Sequence, residues 1–340
     1  MKNKNLLVAA VIGLCLSNGN IAFGKGVGVV LSKIPDSNQA ALPENKNAVA
    51  NFEQGTNLYK QGDFKGAEAA FRKAIELEPN FAQAYIALAN TLDDQGKPQE
   101  AIAQYNKAIS LDPQDSEAYF NLGLTLARLN RLEAAIAQYK KALSLEPNYA
   151  DAHYNLASAL YAQGKPAEAI AEYTAAIRLD PKNPAGYNAL GNALYAQGNL
   201  EEAIAQYKQA LSLEPNYADA HYNLASVFYA QGKLTEAIAD YTEAIRLDPK
   251  HAQAYTGLAN AMDDQGKPQE AIAHYKKAIS LVPNDAFTYY NLGITLGRQQ
   301  QREEAIVNLK KARELFQAQE NKEMVEQVDQ LIQKINTRTN

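Results

Sequence analysis

The sixteen residues LSLEPNYADAHYNLAS stand at 143–158 and again, unchanged, at 211–226. A catalytic site needs one copy of its chemistry, whereas a unit that buries its apolar face only against a neighbour must be repeated. The copies lie 68 residues apart, but the shorter period is half of that. Pro79, Pro113, Pro147, Pro181, Pro215, Pro249 and Pro283 follow one another every 34 residues, each closing a phrase such as LEPN or LDPK. A second echo, DDQGKPQEAIA, runs from 93 to 103 and returns at 263–273, five periods later. A period of this size marks a stacked array.

One period shows what is stacked. Tyr85, Leu88, Ala89 and Leu92 fall at i, i+3, i+4 and i+7, which predicts one apolar face of a helix. Gly96 follows as a helix stop, and Pro98 stands where the first turn of a second helix tolerates it. Ala101, Ile102, Tyr105, Ala108 and Ile109 make a second apolar face before Pro113 ends it. Each period therefore predicts a helical hairpin. Ala89, Gly123, Ala157, Gly191, Ala225, Ala259 and Gly293 recur in the first helices. Ala101, Ala135, Ala169, Ala203, Ala237, Ala271 and Ala305 recur in the second. Small residues allow close approach of helices, and Tyr105, Tyr139, Tyr173, Tyr207, Tyr241 and Tyr275 are expected to fill the space between them.

The period, the terminal proline kept through seven units and the small-residue positions resemble the tetratricopeptide repeat family. The match covers eight units: 48–81, 82–115, 116–149, 150–183, 184–217, 218–251, 252–285 and 286–319. Gln54 in the first unit stands where Leu is expected, and Gln317 in the last replaces the proline. Both lie at ends, where caps tolerate water on one side. MVEQVDQLIQKI (324–335) predicts one more amphipathic helix, with Met324, Val328, Leu331 and Ile335 closing the core, so 320–340 reads as a capping helix and tail. The fold class is all-α, and the resemblance implies a right-handed α-solenoid superhelix.

Ahead of the repeats, Lys2 and Lys4 precede the apolar run LLVAAVIGLCL (6–16), and AFG at 22–24 offers small residues for cleavage. A run this short falls below the roughly 20 residues that span a bilayer, so 1–24 reads as an export signal. It directs the chain to a periplasm, lumen or exterior; membrane association follows only if the segment stays uncleaved. Cys15 lies within it, behind Leu14 rather than the small residue a lipidation signal requires. Residues 25–47 have no helical period and read as a flexible linker. The net charge of −5 argues against a nucleic-acid partner.

The functional question concerns the face left over. Opposite the apolar face of the first helix lie Gln83, Ala87, Asn90 and Asp94 at 100° per residue. The resemblance implies that this face lines a concave groove. A merely solvated face would carry Lys, Glu and Gln, but this one collects Asn and Tyr. Asn121, Asn155, Asn223 and Asn291 share one place; Asn90, Asn192 and Asn260 share another. Tyr154, Tyr222 and Tyr290 lie beside them, with Tyr161, Tyr195 and Tyr229 a turn along. An amide donates and accepts, so it can satisfy a peptide unit of any sequence. Tyr supplies flat apolar area with a polar tip. A similar Asn series in the superhelical domain of O-GlcNAc transferase holds extended peptides, and the resemblance implies a protein or peptide partner here. The same residues also occur in generic versions of the repeat as supports for the turn and neighbouring helices.

Arg128 and Arg298 each follow an Asp pair, 93/94 and 263/264, by one unit. They read either as flanking cations of the binding face or as partners of those Asp residues across units. The Lys and Arg set with which chaperone-tail-binding relatives grip an acidic C-terminus is not visible. No G-x-S-x-G, P-loop or HExxH pattern occurs, and nothing implies a metal or a small-molecule cofactor. His153 and His221 hold equivalent places where other units have Tyr, and read as packing residues. The expectation is a non-enzymatic scaffold that binds a partner segment in its groove and assists assembly of an envelope or membrane complex. The alternatives are a structural array that self-associates through its ends, and the binding arm of a glycosyltransferase system.

Overall fold

The computed structural model describes residues 43–337; the export signal expected at 1–24 and most of the linker expected at 25–47 lie outside the described residues. Among the described residues there are seventeen helices and no strand. The chain divides into two compact units that meet in sequence at Gly198 and Asn199. The first holds α1 (Lys46–Lys60), α2 (Phe64–Leu77), α3 (Ala82–Asp94), α4 (Pro98–Leu111), α5 (Ser116–Arg128), α6 (Leu132–Leu145), α7 (Ala150–Ala162), α8 (Pro166–Leu179) and α9 (Pro184–Ala196). The second holds α10 (Leu200–Leu213), α11 (Ala218–Ala230), α12 (Leu234–Leu247), α13 (Ala252–Asp264), α14 (Pro268–Leu281), α15 (Ala286–Arg298), α16 (Arg302–Ala318) and α17 (Lys322–Thr337).

Within each unit successive helices pair as hairpins, α1 with α2 through α7 with α8, and α11 with α12 through α15 with α16. The second helix of each pair also packs on the next first helix, as α2 does on α3 and α12 on α13. Local chemistry sets the ends. The residue before each proline is driven out of the helical region: Glu78 and Asp112 sit at φ −141° and −130°. First helices end in a left-handed residue, a conformation that costs a side-chain-bearing residue about 1–2 kcal/mol. Gly96 at φ 75° and Gly266 at φ 86° take it without that cost, while Asn130 and Gln300 take it at φ 56° and 61°.

The alanines expected at helix crossings, from Ala101 to Ala305, are all fully buried, and so are the six tyrosines from Tyr105 to Tyr275. The partners of four of the tyrosine hydroxyls are a finding of the structure. Tyr105 donates to Asn90 Oδ1 at 2.5 Å and Tyr275 to Asn260 Oδ1 at 2.6 Å. Tyr173 and Tyr241 pair with the hydroxyls of Ser158 and Ser226 at 3.0 and 3.1 Å. In each case the polar residue immediately follows the recurring small residue. Leu124 stands there in the third repeat, and the Tyr139 hydroxyl is buried with no partner among the described residues. Its ring instead lies over Gly123, where a Cβ would come within 2.6 Å of Tyr139 Cε1.

Without a proline, α16 runs for 17 residues rather than 14. α17 then folds back on it, started by Asn321, whose Oδ1 accepts from the Met324 amide at 3.1 Å. Val328 is buried against Leu309, Ala312 and Phe316, with Met324, Leu331 and Ile335 packed around them.

Candidate functional site

The candidate side chains lie on first helices, and the structure divides them into three groups. The first faces inward. Asn90 is 0% exposed and its oxygen is occupied by Tyr105. Asn260, half-buried, is held likewise by Tyr275. Both amides serve as acceptors for the core tyrosine hydroxyl. The residue after the small one sits at the margin of the apolar face, where a modest rotation of the helix turns its side chain in. Asn192, at the same place in α9, is half-buried and also engaged. Asn121 is buried at 2% exposure, and the amide nitrogens of Asn90 and Asn121 have no partner among the described residues.

The second group ties neighbouring repeats together. Arg128 pairs with Asp93, which also accepts from Thr125 Oγ1 at 2.6 Å, linking α3 to α5. Arg298 pairs with Asp263 at 2.7 Å, and Thr295 donates to the same carboxylate at 2.8 Å, linking α13 to α15. Tyr59 donates to Asp94, and Tyr229 to Asp264 at 2.7 Å. Of the two readings of the arginines, pairing across repeats is the one seen. Their side chains are 45% and 57% exposed, so each pair contributes only about 0–1 kcal/mol. The carboxylates are different: Asp93 and Asp263 are 8% and 9% exposed, and losing the arginine would leave a nearly buried charge. Burial pushes the Asp94 carboxyl up, against the lowering effect of its bond from Tyr59. Burial also lowers Arg128 and raises the Tyr229 phenol, the latter reinforced by Asp264. Asn291 belongs here too, since its Nδ2 donates to Asn260 Oδ1 at 3.1 Å.

The third group stays at the surface of its helix. Tyr154, Asn155 and Tyr161 are half-buried on α7, as are Tyr222, Asn223 and Tyr229 on α11. The Tyr154 ring stands edge-on to Tyr173 at 5.4 Å, and burial raises its phenol to about 12. Tyr222 lies between Tyr241 at 5.9 Å and His251 at 4.7 Å. Asn155 Nδ2 bonds only back along its helix, to the Asp151 carbonyl at 2.8 Å. Tyr290 stands edge-on to Phe316 at 6.4 Å, and Tyr195 is buried and engaged. Ser158, Ser226, Thr125, Thr295 and Tyr59 share in these networks and were missed. Their signal was positional: Thr125 and Thr295 recur five periods apart, beside the duplicated Asp pairs.

Among the described residues no three His, Cys, Asp or Glu side chains converge as metal ligands, and no helix is long and apolar enough to cross a membrane.

A family model described as tetratricopeptide repeat matches residues 52–116, 86–148, 120–184 and 224–286. A second with the same description matches 172–205 and 274–307, and a TPR repeat model matches 191–232. A search of curated proteins gave no match. Among solved structures, a chain of the APC/C hetero-tetramer Cut9–Hcn1 superposes with a TM-score of 0.61 at 19% identity, over 80% of this chain and 52% of that one. This chain thus spans about half the length of that subunit. PilF of Pseudomonas aeruginosa gives 0.54 at 23% identity, covering 60% of this chain and 92% of that one. YrrB, a TPR protein with an unusual peptide-binding site, gives 0.49 at 29% identity, covering 54% and 95%. The repeat models cover most of the helical array, and the chain belongs to the tetratricopeptide repeat family.

Proposed function

We propose that this chain is a non-catalytic scaffold that docks an extended segment of a partner protein on the half-open Tyr–Asn faces of its first helices. Membership of a family whose proteins are generally non-catalytic scaffolds supports the general reading. The observation that carries the finer one is the half-buried surface of Tyr154, Asn155 and Tyr161 on α7, repeated by Tyr222, Asn223 and Tyr229 on α11. These are aromatic and amide groups where a solvated helix would present Lys or Glu. Tyrosine buries large area with little entropy to lose, and an amide meets a peptide bond regardless of side chain. Arg128 in the first unit and Arg298 in the second, held by Asp93 and Asp263 yet about half exposed, each keep N–H donors for an acidic group of a ligand. Export through residues 1–24, and service in assembling an envelope or membrane complex, belong to the same proposal and rest on Lys2, Lys4 and the apolar run that follows.

Crosslinking in the native host, with mass spectrometry of the captured proteins, identifies the partner. Asn155→Ala with Asn223→Ala then tests the face, because Ala favours the helix and Asn155 supports nothing beyond its own helix. Capture should weaken tenfold or more, equivalent to about 1.4 kcal/mol, with circular dichroism unchanged. Undiminished capture removes the proposed face.

A further inference from the structure

His153 on α7 and His221 on α11 occupy the same place in the repeated sixteen residues, and both are engaged through both ring nitrogens. His153 Nδ1 lies 2.6 Å from Glu172 Oε2 on α8, and Nε2 lies 3.0 Å from the Pro147 carbonyl in the preceding turn. His221 repeats this with Asp240 on α12 at 2.7 Å and the Pro215 carbonyl at 3.2 Å. A carbonyl only accepts, and so does an ionised carboxylate. Making both bonds at once therefore requires an N–H on each nitrogen, which only the imidazolium has. The neutral ring makes one of them and turns a lone pair on the other acceptor.

The intervening repeats show a neutral alternative. Tyr119 and Tyr187 stand at the histidine's place, and Gln138 and Gln206 stand at the acid's place nineteen residues on. The Tyr187 hydroxyl donates to the Pro181 carbonyl at 3.3 Å, so the bond to the proline carbonyl is made there without a titrating group. His and acid thus replace Tyr and Gln together, in alternate repeats.

We propose that His153–Glu172 and His221–Asp240 are protonation-gated latches, each tying a first helix to the second helix of its own repeat and to the turn before it. The proposal stands independently of what binds the chain. The charged surroundings favour the closed form. α8 presents Glu172 to His153, with Ala175 at the next turn. α12 presents Asp240 to His221 and adds Glu243, which Arg246 holds at 2.6 Å. The two turns add Glu146 and Glu214, next to the prolines. On α10, which packs on α11, Lys208 sits over the Phe228 ring at 6.0 Å. His251 is bonded differently: its Nδ1 accepts from the Ala254 amide at 3.3 Å and its Nε2 lies 3.4 Å from Asp219 Oδ1.

Because the paired bonds need an N–H on each ring nitrogen, the latches are expected to hold at low pH and to release as pH rises. The test compares melting of the full chain with the variant carrying His153→Tyr, Glu172→Gln, His221→Tyr and Asp240→Gln, which installs the neutral pair. Between about pH 8 and pH 5.5 the melting temperature of the natural chain should rise by a few degrees relative to the variant. Parallel curves overturn the proposal. Should the variant misfold, Glu172→Gln with Asp240→Asn takes its place, with the same expected loss of pH dependence. Imidazole nitrogen shifts give a direct reading of the natural chain: both nitrogens of each ring should be protonated at about pH 5.5, and a neutral tautomer there also overturns it.

Discussion

The neighbouring hairpins α3–α4 and α5–α6 bury the same residue in the same place and treat it differently. Tyr105 reaches Asn90 with its hydroxyl, whereas Tyr139 lies over Gly123 with its hydroxyl unpartnered. The difference traces to two adjacent residues, Ala89–Asn90 against Gly123–Leu124. An alanine methyl holds the ring off the first helix and directs the hydroxyl to the next residue, which is polar. At Gly123 the ring settles onto the backbone, and the next residue, Leu124, is apolar. Ala157–Ser158, Ala225–Ser226 and Ala259–Asn260 follow the first pattern, each with a hydrogen-bonded tyrosine. Gly293 follows the second, facing Leu309, which has no hydroxyl to satisfy. In these repeats the small residue and its successor together decide how the core side chain is seated.

The comparison breaks most readily at Asn90. Asn90→Leu gives the hairpin its neighbour's residue while keeping Ala89, so the buried Tyr105 hydroxyl loses Asn90 Oδ1 and is left with Thr125 alone. The expected cost is about 1–3 kcal/mol. Adding Tyr105→Phe should recover most of it, since replacing both partners by apolar groups is nearly neutral. Hydrogen exchange at α3 and α4 measures this directly, because stacked repeats open locally. If the single variant is as stable as the natural chain, the Asn90 bond contributes nothing and the pairing rule fails.

A smaller effect is expected from the other side. Gly123→Ala places a methyl 2.6 Å from Tyr139 Cε1 and 2.7 Å from Cδ1. Overpacking costs about 1–3 kcal/mol, and the better helix propensity of Ala returns about 1 kcal/mol, leaving a net loss of about 0–2 kcal/mol. Exchange protection in α5 should fall accordingly. Adding Leu124→Asn should sharpen the contrast, because a ring pushed off the backbone then finds an acceptor and part of the loss is regained.

The period, the hairpins and the alanine and tyrosine core were legible because each is a spacing, and burial enforces spacing strictly. The roles of the asparagines were not. Asn90 and Asn155 lie three positions apart within their repeats, and a wheel of 100° steps places both on the uncommitted side. Whether such a residue turns inward depends on the side chain that the second helix brings up, here Tyr105 for Asn90. The arginines raised a different difficulty. Whether Arg128 meets Asp93 depends on the rotation from one repeat to the next, which no period within a repeat encodes. His153 looked like packing because Tyr stands at its place elsewhere, and its meaning appears only with Glu172 nineteen residues on. Tyr154, Asn155, Tyr222 and Asn223 keep the half-open surface on which the binding proposal rests.

The smallest effect is the most discriminating. Burial raises the Tyr139 phenol, with Arg128 opposing, and no described group accepts its proton. Tyr139→Phe removes a desolvated hydroxyl and keeps the ring over Gly123, so stability should change by no more than about 0.5 kcal/mol and can rise. Tyr105→Phe, by contrast, removes a formed bond and strands Asn90 Oδ1, at a cost of about 1 kcal/mol. Measured side by side, the two variants hold ring volume constant and vary only the hydroxyl. Equal losses would mean that Tyr139 has an acceptor after all, and that Gly123–Leu124 and Ala89–Asn90 are interchangeable ways of seating one side chain. Unequal losses would mean that these repeats, alike in backbone and in core residue, differ in whether the core tyrosine orders its first helix by a bond or by contact alone.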